Sequence, residues 1–401
     1  MAYNFNELKK DVVEGRIDTV LACLVDMQGR LMGKRFHAQF FVDHAYQESH
    51  SCNYLLATDM EMEPVPGFEA SSWTRGYGDY TMKPDLSTLR RLPWLEGTAM
   101  VICDVLDHQT HLEVLHSPRA MLKKQIARLG KLGFKACMAS ELEFFLFHQT
   151  FESARAADYR NLALSSAYNE DYHILQTTKD EDVMRALRNG LQDAGIAVEN
   201  SKGEASAGQQ EINVRYTDAL TMADNHVIIK NAAKEIAWSK GKSLTFLAKW
   251  HNQAAGSSCH IHQSLRMLKN GTSAFFDKKG EHGMSRLMSH YVAGLIAHTD
   301  EITYFLAPYI NSYKRYVAGT FAPTSSVWSI DNRTSGYRLC GANTEAIRIE
   351  CRIGGADLNP HLAMAALLAA GMSGISNELE LEPDFAGDAY EITERSQIPR
   401  T

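Results

Sequence analysis

Ser140-Glu141-Leu142-Glu143-Phe144-Phe145-Leu146-Phe147 joins an acidic first half to a second half as apolar as a core strand. Extended backbone sends successive side chains to opposite faces, so Glu141 and Glu143 share one face and Leu142 and Phe144 the other. Two carboxylates this close repel, and one takes up a proton unless a cation or a basic group lies between them. On this stretch alone two readings stay open: an edge strand with its acids in water, or a buried strand whose acids hold something positive.

The surrounding chain narrows the choice. Its 401 residues are long enough for two domains, and 45% hydrophobic with 22% charged residues is an ordinary globular mixture. A formal net charge of -7 lacks the basic footprint of a nucleic-acid binder. The seven cysteines are scattered, odd in number and free of any Cys-x-x-Cys pair, which fits the reducing cytoplasm. Met1-Ala2-Tyr3-Asn4-Phe5-Asn6-Glu7 carries no signal-peptide pattern. The longest apolar run, Leu362 to Ile375, is too short and too rich in Ala and Gly to span a bilayer, and reads as a buried helix.

Residues 1–110 read as a small α/β unit. A helix over Asn6–Glu14 leads to a strand over Thr19–Asp26, and Gln28-Gly29 turns the chain back into Leu31–Phe36. Thr58 to Leu92 is rich in Pro, Gly, Asp and aromatics and reads as a long loop; Ala99–Val105 is a strand. The second domain, 111–401, opens on a helix from Ser117-Pro118 to Gly130, with Ser at the N-cap. Beyond the opening strand, Thr150–Ile174 has no periodicity. Helices are predicted at Asp180–Ala194, Leu220–Lys240, Gly283–Ala307 and Pro360–Asn377. Strands are predicted at Glu211–Tyr216, Leu244–Lys249, His260–Leu265, Tyr337–Leu339 and Ala346–Ile353.

Three further segments repeat the opening pattern. Ser201–Gln210 is a Gly- and Ser-punctuated loop closing on a strand, with Glu204 inside it and Glu211 at its end. Gly256-Ser257-Ser258-Cys259-His260-Ile261-His262-Gln263-Ser264 places His260 and His262 on one face and Cys259 on the other, so the thiol reads as packing rather than zinc ligation. Arg348, Glu350 and Arg352 share a face while Ile347, Ile349, Cys351 and Ile353 fill the other, a costly ladder to bury without a task. Arg315, Arg333 and Arg338 lie upstream and suit planar recognition of carboxylate or phosphate. Five glutamates with one imidazole suit Mg²⁺ or Mn²⁺ rather than zinc or copper, and enough carboxylates for two ions point to phosphoryl transfer. Gly241-Lys242-Ser243 lacks the upstream glycine of a P-loop.

Taken in order, Ser-Glu-x-Glu-Phe-Phe, Ala-Gly-Gln-x-Glu, Gly-Ser-x-x-His-x-His-x-Ser-Leu, Asn-Ser-Tyr-Lys-Arg, Asp-Asn-Arg and Arg-Ile-Glu-x-Arg resemble the glutamine synthetase family from about Asp18 onward. The resemblance implies an α+β fold, a small β-grasp domain followed by a catalytic α/β domain with a curved antiparallel sheet, and hexameric or dodecameric rings with active sites between neighbours. It implies that Glu143, Glu204 and Glu211 hold a metal beside glutamate, and that Glu141, His260 and Glu350 hold one beside the ATP phosphates. Arg315 and Arg352 would grip glutamate with Gly256 on its backbone side. Arg333, Arg338 and Arg348 would face the phosphates, and Glu199, His262 and Ser264 would lie near the nucleotide. The implied reaction passes through γ-glutamyl phosphate, from which an amine displaces phosphate.

Two departures matter. The family's flap reads Pro-Gly-x-Glu-Ala-Pro, its Glu serving ammonium; here it is Ala318-Gly319-Thr320-Phe321-Ala322-Pro323, with Phe321 in the acid's place. The family's Phe-Asp-Gly-Ser-Ser element has no clear counterpart in His50-Ser51-Cys52-Asn53-Tyr54, and Ala255 replaces an Asn. An aromatic ring attracts a cation but cannot take its proton, so an organic amine such as a polyamine or ethanolamine is the expected acceptor, within the glutamate–amine ligase branch. Asp59, Glu61 or Glu63 entering from a loop would restore ammonia use and make the protein a true glutamine synthetase. The chain also stops at Thr401, short of its relatives, which leaves a dodecamer in question and a non-catalytic regulatory or assembly role open.

Overall fold

The computed structural model describes residues 3–392 and 398–399, so 1–2, 393–397 and 400–401 lie outside the described residues. The first sheet is built from β1 (Thr19–Val25), β2 (Leu31–His37), β3 (Ser49–Cys52), β4 (Asp79–Pro84), β5 (Arg90–Arg91) and β6 (Thr98–Asp107). Its order is β2-β1-β6-β4-β3, with β5 also on β6. β1 is an unbroken apolar run because both of its faces are covered. Val20, Ala22 and Leu24 pack with Leu8, Phe41, Met82 and Val101 in a small core. Leu21, Cys23 and Val25 join Met100 and Ile102 in the main one. One sheet therefore belongs to two cores.

The predicted turn at Gln28-Gly29 is built by Asp26, whose carboxylate accepts the Gln28 and Arg30 N–H groups at 3.0 and 2.7 Å and the Arg30 Nε–H at 2.7 Å. Gly29 sits at φ +76° with the space for a Cβ already bounded by Asn359 Cα at 3.2 Å, so both conformation and crowding require glycine. Asn359 Nδ2 donates to the carbonyls of Asp26 and Met27 at 3.0 and 3.2 Å, tying this turn to the start of the last long helix.

The second sheet has order β13-β14-β15-β12-β7-β9-β8, with β10 and β11 paired to other stretches of β7. Its strands are β7 (Phe134–Phe147), β8 (Val198–Gly203), β9 (Gln209–Val214), β10 (Thr217–Asp218), β11 (Ser243–Thr245), β12 (Cys259–Met267), β13 (Trp328–Ile330), β14 (Tyr337–Cys340) and β15 (Arg348–Cys351). All pairings are antiparallel except β13 with β14. The helices Pro118–Lys131, Ala219–Ser239 and Arg286–Ala297 pack around Pro360–Ser376. That last helix is apolar all round and buried along its length, as its composition predicts.

Several expectations are corrected. The stretch Thr58–Leu92 is not all loop: β4 lies within it, its inward Tyr80 and Met82 masked in sequence by Gly76, Gly78 and Pro84. Val198–Gly203 is a strand, and only the turn after it is loop. Thr150 caps a short helix, Phe151–Ala156, in the stretch without periodicity. The expected helix Gly283–Ala307 is two, Arg286–Ala297 and Thr299–Leu306, broken at His298. There the Thr299 hydroxyl bonds back to the Leu295 carbonyl at 2.9 Å, a pattern that bends helices. The strand expected to reach Lys249 stops at Thr245, since Thr245 Oγ1 and Asn311 Oδ1 accept the Leu247 and Lys249 N–H groups in place of a ladder. Ser117 is at the N-cap as expected, but its hydroxyl makes no capping bond.

Arg119, 3% exposed, joins four elements: it donates to Asp85 at 2.7 Å, Asp104 at 2.5 Å and Asp224 at 3.0 Å, and His361 Nε2 donates to Asp224 at 2.8 Å. Removing one member of a buried ionic group leaves the others desolvated and unpaired. Arg119→Met is therefore expected to lower unfolding free energy by about 3–5 kcal/mol, read from the denaturant midpoint; a loss under 1 kcal/mol would mean that the network behaves as a surface pair.

Candidate functional site

Strand register assembles the site. β7 lies between β9 and β12, so Glu141 faces Asn213 on one side and His260 on the other, and Glu143 faces Glu211. One strand further, His262 faces Glu350, and Glu350 faces Arg338. The acids of the opening stretch are thus the middle of a charged sheet face, and the edge-strand reading is excluded. Leu142 and Phe144 fill the main core behind them.

His260 Nδ1 and His262 Nε2 donate to the two oxygens of Glu141 at 3.0 and 2.9 Å, and His260 Nδ1 is also 3.5 Å from Glu350 Oε1. Arg348 Nε donates to His262 Nδ1 at 3.3 Å, which fixes that tautomer. Glu350, fully buried, accepts from Arg338 at 3.1 Å and Arg352 at 2.6 Å. Ser258 donates to Glu143 from both its N–H, at 2.8 Å, and its hydroxyl. Gln209 Nε2 bridges Glu143 at 3.1 Å and the Gly256 carbonyl at 3.0 Å. Glu211 receives only a neutral donor, Asn213 Nδ2, at 2.8 Å.

The carboxyls divide into two kinds. Burial and the neighbouring carboxylates raise Glu143 and Glu211 above the ordinary range, the more distant charges of Arg315 and Lys202 offsetting only part of this. For Glu141 the two imidazoles outweigh burial and lower it. For Glu350 burial is outweighed by Arg352, His260 and His262, which bring it down to about 2. Glu141, His260 and Glu350 form one group whose ligand atoms lie within 4.8 Å of each other, and Glu143, Glu211 and His260 form another. Oxygen donors with one imidazole suit a hard divalent ion, and the uncompensated Glu143–Glu211 pair is where such a charge fits best.

Glu204 lines the same cleft but stands apart from the tight group, because Lys202 pairs with it. Lys202 also reaches Asp171 at 3.5 Å and lies 4.4 Å over the Tyr172 ring. Sequence reading missed Lys202, although it lies only two residues before Glu204, at the end of β8. It also missed Glu170, which is wholly buried and accepts from Gly208 N–H at 2.9 Å and from Gln210, pinning the turn that carries Glu204. A lone acid in an aromatic loop gives no local signal of that task.

Two clefts open on this face. The first, about 600 Å³, is lined by Glu141, Glu143, Glu211 and His260 of the ligand groups and by Gly256, Arg315, Phe321, Arg333, Arg338 and Arg352. The second, about 570 Å³, is lined by Glu199, His262, Ser264 and Arg348. They share Glu141, Asn200 and Asn213 as their common wall. Arg315 is buried and donates to the carbonyls of Arg352, Ile353 and Gly354, so its Nη2 is already engaged with the backbone. Its Nε–H and that of Arg352 are buried without a partner. A Cβ on Gly256 would collide with the Arg315 side chain. Phe321 is 56% exposed, sits at φ +59°, and lends its carbonyl to Arg352 Nη2 at 3.4 Å. Asp59, Glu61 and Glu63 do not line either cleft: Asp59 caps the N–H groups of the other two, and Glu61 is 3.8 Å from Arg155.

The glutamine synthetase catalytic domain profile matches residues 115–401. γ-Glutamylethanolamide synthetase GlnA4 of Streptomyces coelicolor is 46% identical over 396 residues, which cover 98% of this chain and 84% of that one. Glutamate–isopropylamine ligase of a Pseudomonas species is 36% identical over 386 residues, 96% of this chain and 84% of that one. The solved structure of GmaS without ligand matches with a TM-score of 0.83 at 27% identity, over 97% of this chain and 86% of that one.

A carboxyl raised in the folded state contributes stability below its unfolded value, near 4.5, and loses it as pH rises through the raised value. Metal-free protein is therefore expected to lose melting temperature between pH 5 and 8, and Glu211→Gln to flatten that slope and raise stability by a few degrees at pH 8. Mg²⁺ or Mn²⁺ should restore the wild type most at high pH and release protons on binding, measured by calorimetry in buffers of different ionisation heat. Parallel slopes for the two proteins would mean that the pair carries no such penalty.

Proposed function

We propose that this chain, which belongs to the glutamine synthetase family, is an ATP-dependent ligase that joins an amine to the γ-carboxylate of glutamate. The observation that carries the reading is the shared wall of the two clefts: Glu141 stands between a cleft rich in buried arginine and one lined by His262, Ser264 and Arg348. Glutamate in the first and nucleotide in the second would meet over that residue. We assign two divalent ions, Mg²⁺ or Mn²⁺, to Glu141, His260 and Glu350 and to Glu143 and Glu211 with Glu204 nearby; when bound they would neutralise the charge of the transferring phosphoryl group.

The arginines then divide the work. The unpartnered Nε–H of Arg352 and that of Arg315 suit the substrate carboxylates, since a buried donor without an acceptor favours a ligand that supplies one. Arg315 also shapes the cleft from behind through its bonds to the backbone. Arg333, exposed at the mouth, and Arg338, bonded to Glu350, are free of the core and suit the phosphates.

The acceptor is the finer question. Of the acids lining the first cleft, Glu141, Glu143, Glu204 and Glu211 are assigned to metal, and Asp171 is paired with Lys202. Among the described residues no acid there remains for ammonium, or for the distal cation of a polyamine. Tyr172, Ile174 and Phe321 instead offer apolar surface. A short primary amine with a neutral or hydroxylated tail fits best, in keeping with the GlnA4 and isopropylamine ligase relatives.

We also infer self-association into rings, supported by family membership and by Val65, Phe68 and Trp73, which lie exposed on the segment between β3 and β4. A cytoplasmic setting is supported by the free state of all seven cysteines. No described helix is long and apolar enough to cross a membrane.

Glutamate-dependent phosphate release from ATP and Mg²⁺ is expected with short monoamines and weakly with ammonium or polyamines; ammonium preferred over every organic amine would overturn the acceptor assignment. Phe321→Glu should shift kcat/KM toward ammonium by roughly tenfold, about 1.4 kcal/mol. Glu350→Gln should cut turnover with every acceptor alike by at least roughly tenfold, separating the phosphoryl-transfer chemistry from the choice of amine.

A further inference from the structure

Of the cysteines on the large sheet, Cys259 and Cys351 face the hydrophobic core. Cys340 is buried on the opposite, charged face, two residues beyond Arg338 on β14. Its neighbours are ligand-bearing. Cys340 Sγ lies 3.6 Å from Glu350 Oε2, to which it donates, and 3.8 Å from the Arg338 carbonyl. His262 faces Glu350 from the adjoining strand. The sulfur, an imidazole nitrogen and a carboxylate oxygen of these three residues lie within 4.8 Å of one another.

Nothing in the ligase reaction calls for that thiol. Sulfur is a poor ligand for Mg²⁺ or Mn²⁺, which prefer oxygen. Thiolate, imidazole and carboxylate together are instead a donor set for Zn²⁺ and its softer relatives, with a fourth position left for water.

We propose that His262, Cys340 and Glu350 form a metal site selective for zinc-like ions, and that its occupation inhibits turnover by drawing Glu350 away from the hard ion held with Glu141 and His260. On binding, the sulfur–metal bond forms as the thiol proton leaves to solvent; no electrons are transferred. The site is weak without sulfur, because Arg338 and Arg348 stand beside it and oppose any cation that gains only neutral or shared ligands. Affinity therefore resides in Cys340. Binding stands on these three residues alone, whereas inhibition rests on the role proposed above for Glu350.

The test uses full-length protein in excess Mg²⁺. Titration with Co²⁺ or Cd²⁺ is expected to give a thiolate-to-metal charge-transfer band in a Cys52→Ser background, where the partly exposed thiol is absent, and to lose it in Cys340→Ser. Cys340→Ser should keep wild-type turnover while its half-inhibitory Zn²⁺ concentration rises roughly tenfold or more. Zinc X-ray absorption on the one-to-one complex of the unaltered protein needs no variant. One sulfur at about 2.3 Å is expected, and a shell of nitrogen and oxygen alone overturns the site, as does a band that survives Cys340→Ser. A sulfur shell with unchanged zinc inhibition in Cys340→Ser keeps the metal site but overturns its effect on turnover. Glu350→Gln retaining full activity would instead defeat the ligase reading without touching the sulfur result.

Discussion

Like charge held together is the constraint on which the rest of this protein depends. Glu143 and Glu211 are brought side by side by the register of β7 and β9, not by attraction, and both are buried. Every nearby donor is arranged so that one more positive charge is still wanted: Ser258 and Gln209 are neutral, and Lys202 is turned toward Glu204. Across the same strand the balance is reversed. Glu141 and Glu350 are saturated by imidazoles and guanidiniums. The sheet face therefore carries a gradient, from over-compensated acid at β15 to uncompensated acid at β9. An anionic co-substrate that brings its own ion to Glu141, His260 and Glu350 suits the first end, and a lone cation the second.

Such a gradient requires a stiff support, because each residue of strand slippage would send these side chains to the core. The register is held from behind. Leu142, Phe144 and Ile212 pack into the main core, as do Ile261, Ile349 and Cys351. Arg315 braces the loop ahead of β12 by occupying the space that Gly256 leaves open. Glu170 does the same for the turn after β8. Function is on one face and rigidity on the other, with the same strands supplying both.

This division decides what could be read in the sequence. Strand alternation put Glu141 with Glu143, His260 with His262, and Glu350 with Arg348 and Arg352 on single strand faces, the resemblance grouped them across strands, and in the fold Glu141, Glu143, Glu211, His260 and Glu350 converge. Elements whose pattern is continuous or interrupted were hidden. β4 is flanked by glycines and ends on proline, and β8 reads as polar loop because it lies at the sheet edge. The break at His298 depends on a hydroxyl bonding its own helix, which periodicity does not register. Pairings across long separations were also invisible. Arg315 resembled a substrate arginine and is in part a backbone brace, bonded to carbonyls almost forty residues on.

The turn at Asp26–Arg30 has a consequence in time. Asn359 closes it across 333 positions of chain, and β1 contributes one face to a core that is completed only when the helix Pro360–Ser376 arrives. Long-range closure of this kind slows folding, because the entropy of ordering so much intervening chain is lost before the contact forms. On a ribosome adding residues one by one, the first hairpin would wait, half-covered, through most of synthesis. Premature release would leave Leu21, Cys23 and Val25 in an incomplete core, an apolar stripe partly open to other chains. The protein's earliest strand is thus among its last to be secured, and quality control during synthesis has its clearest target there.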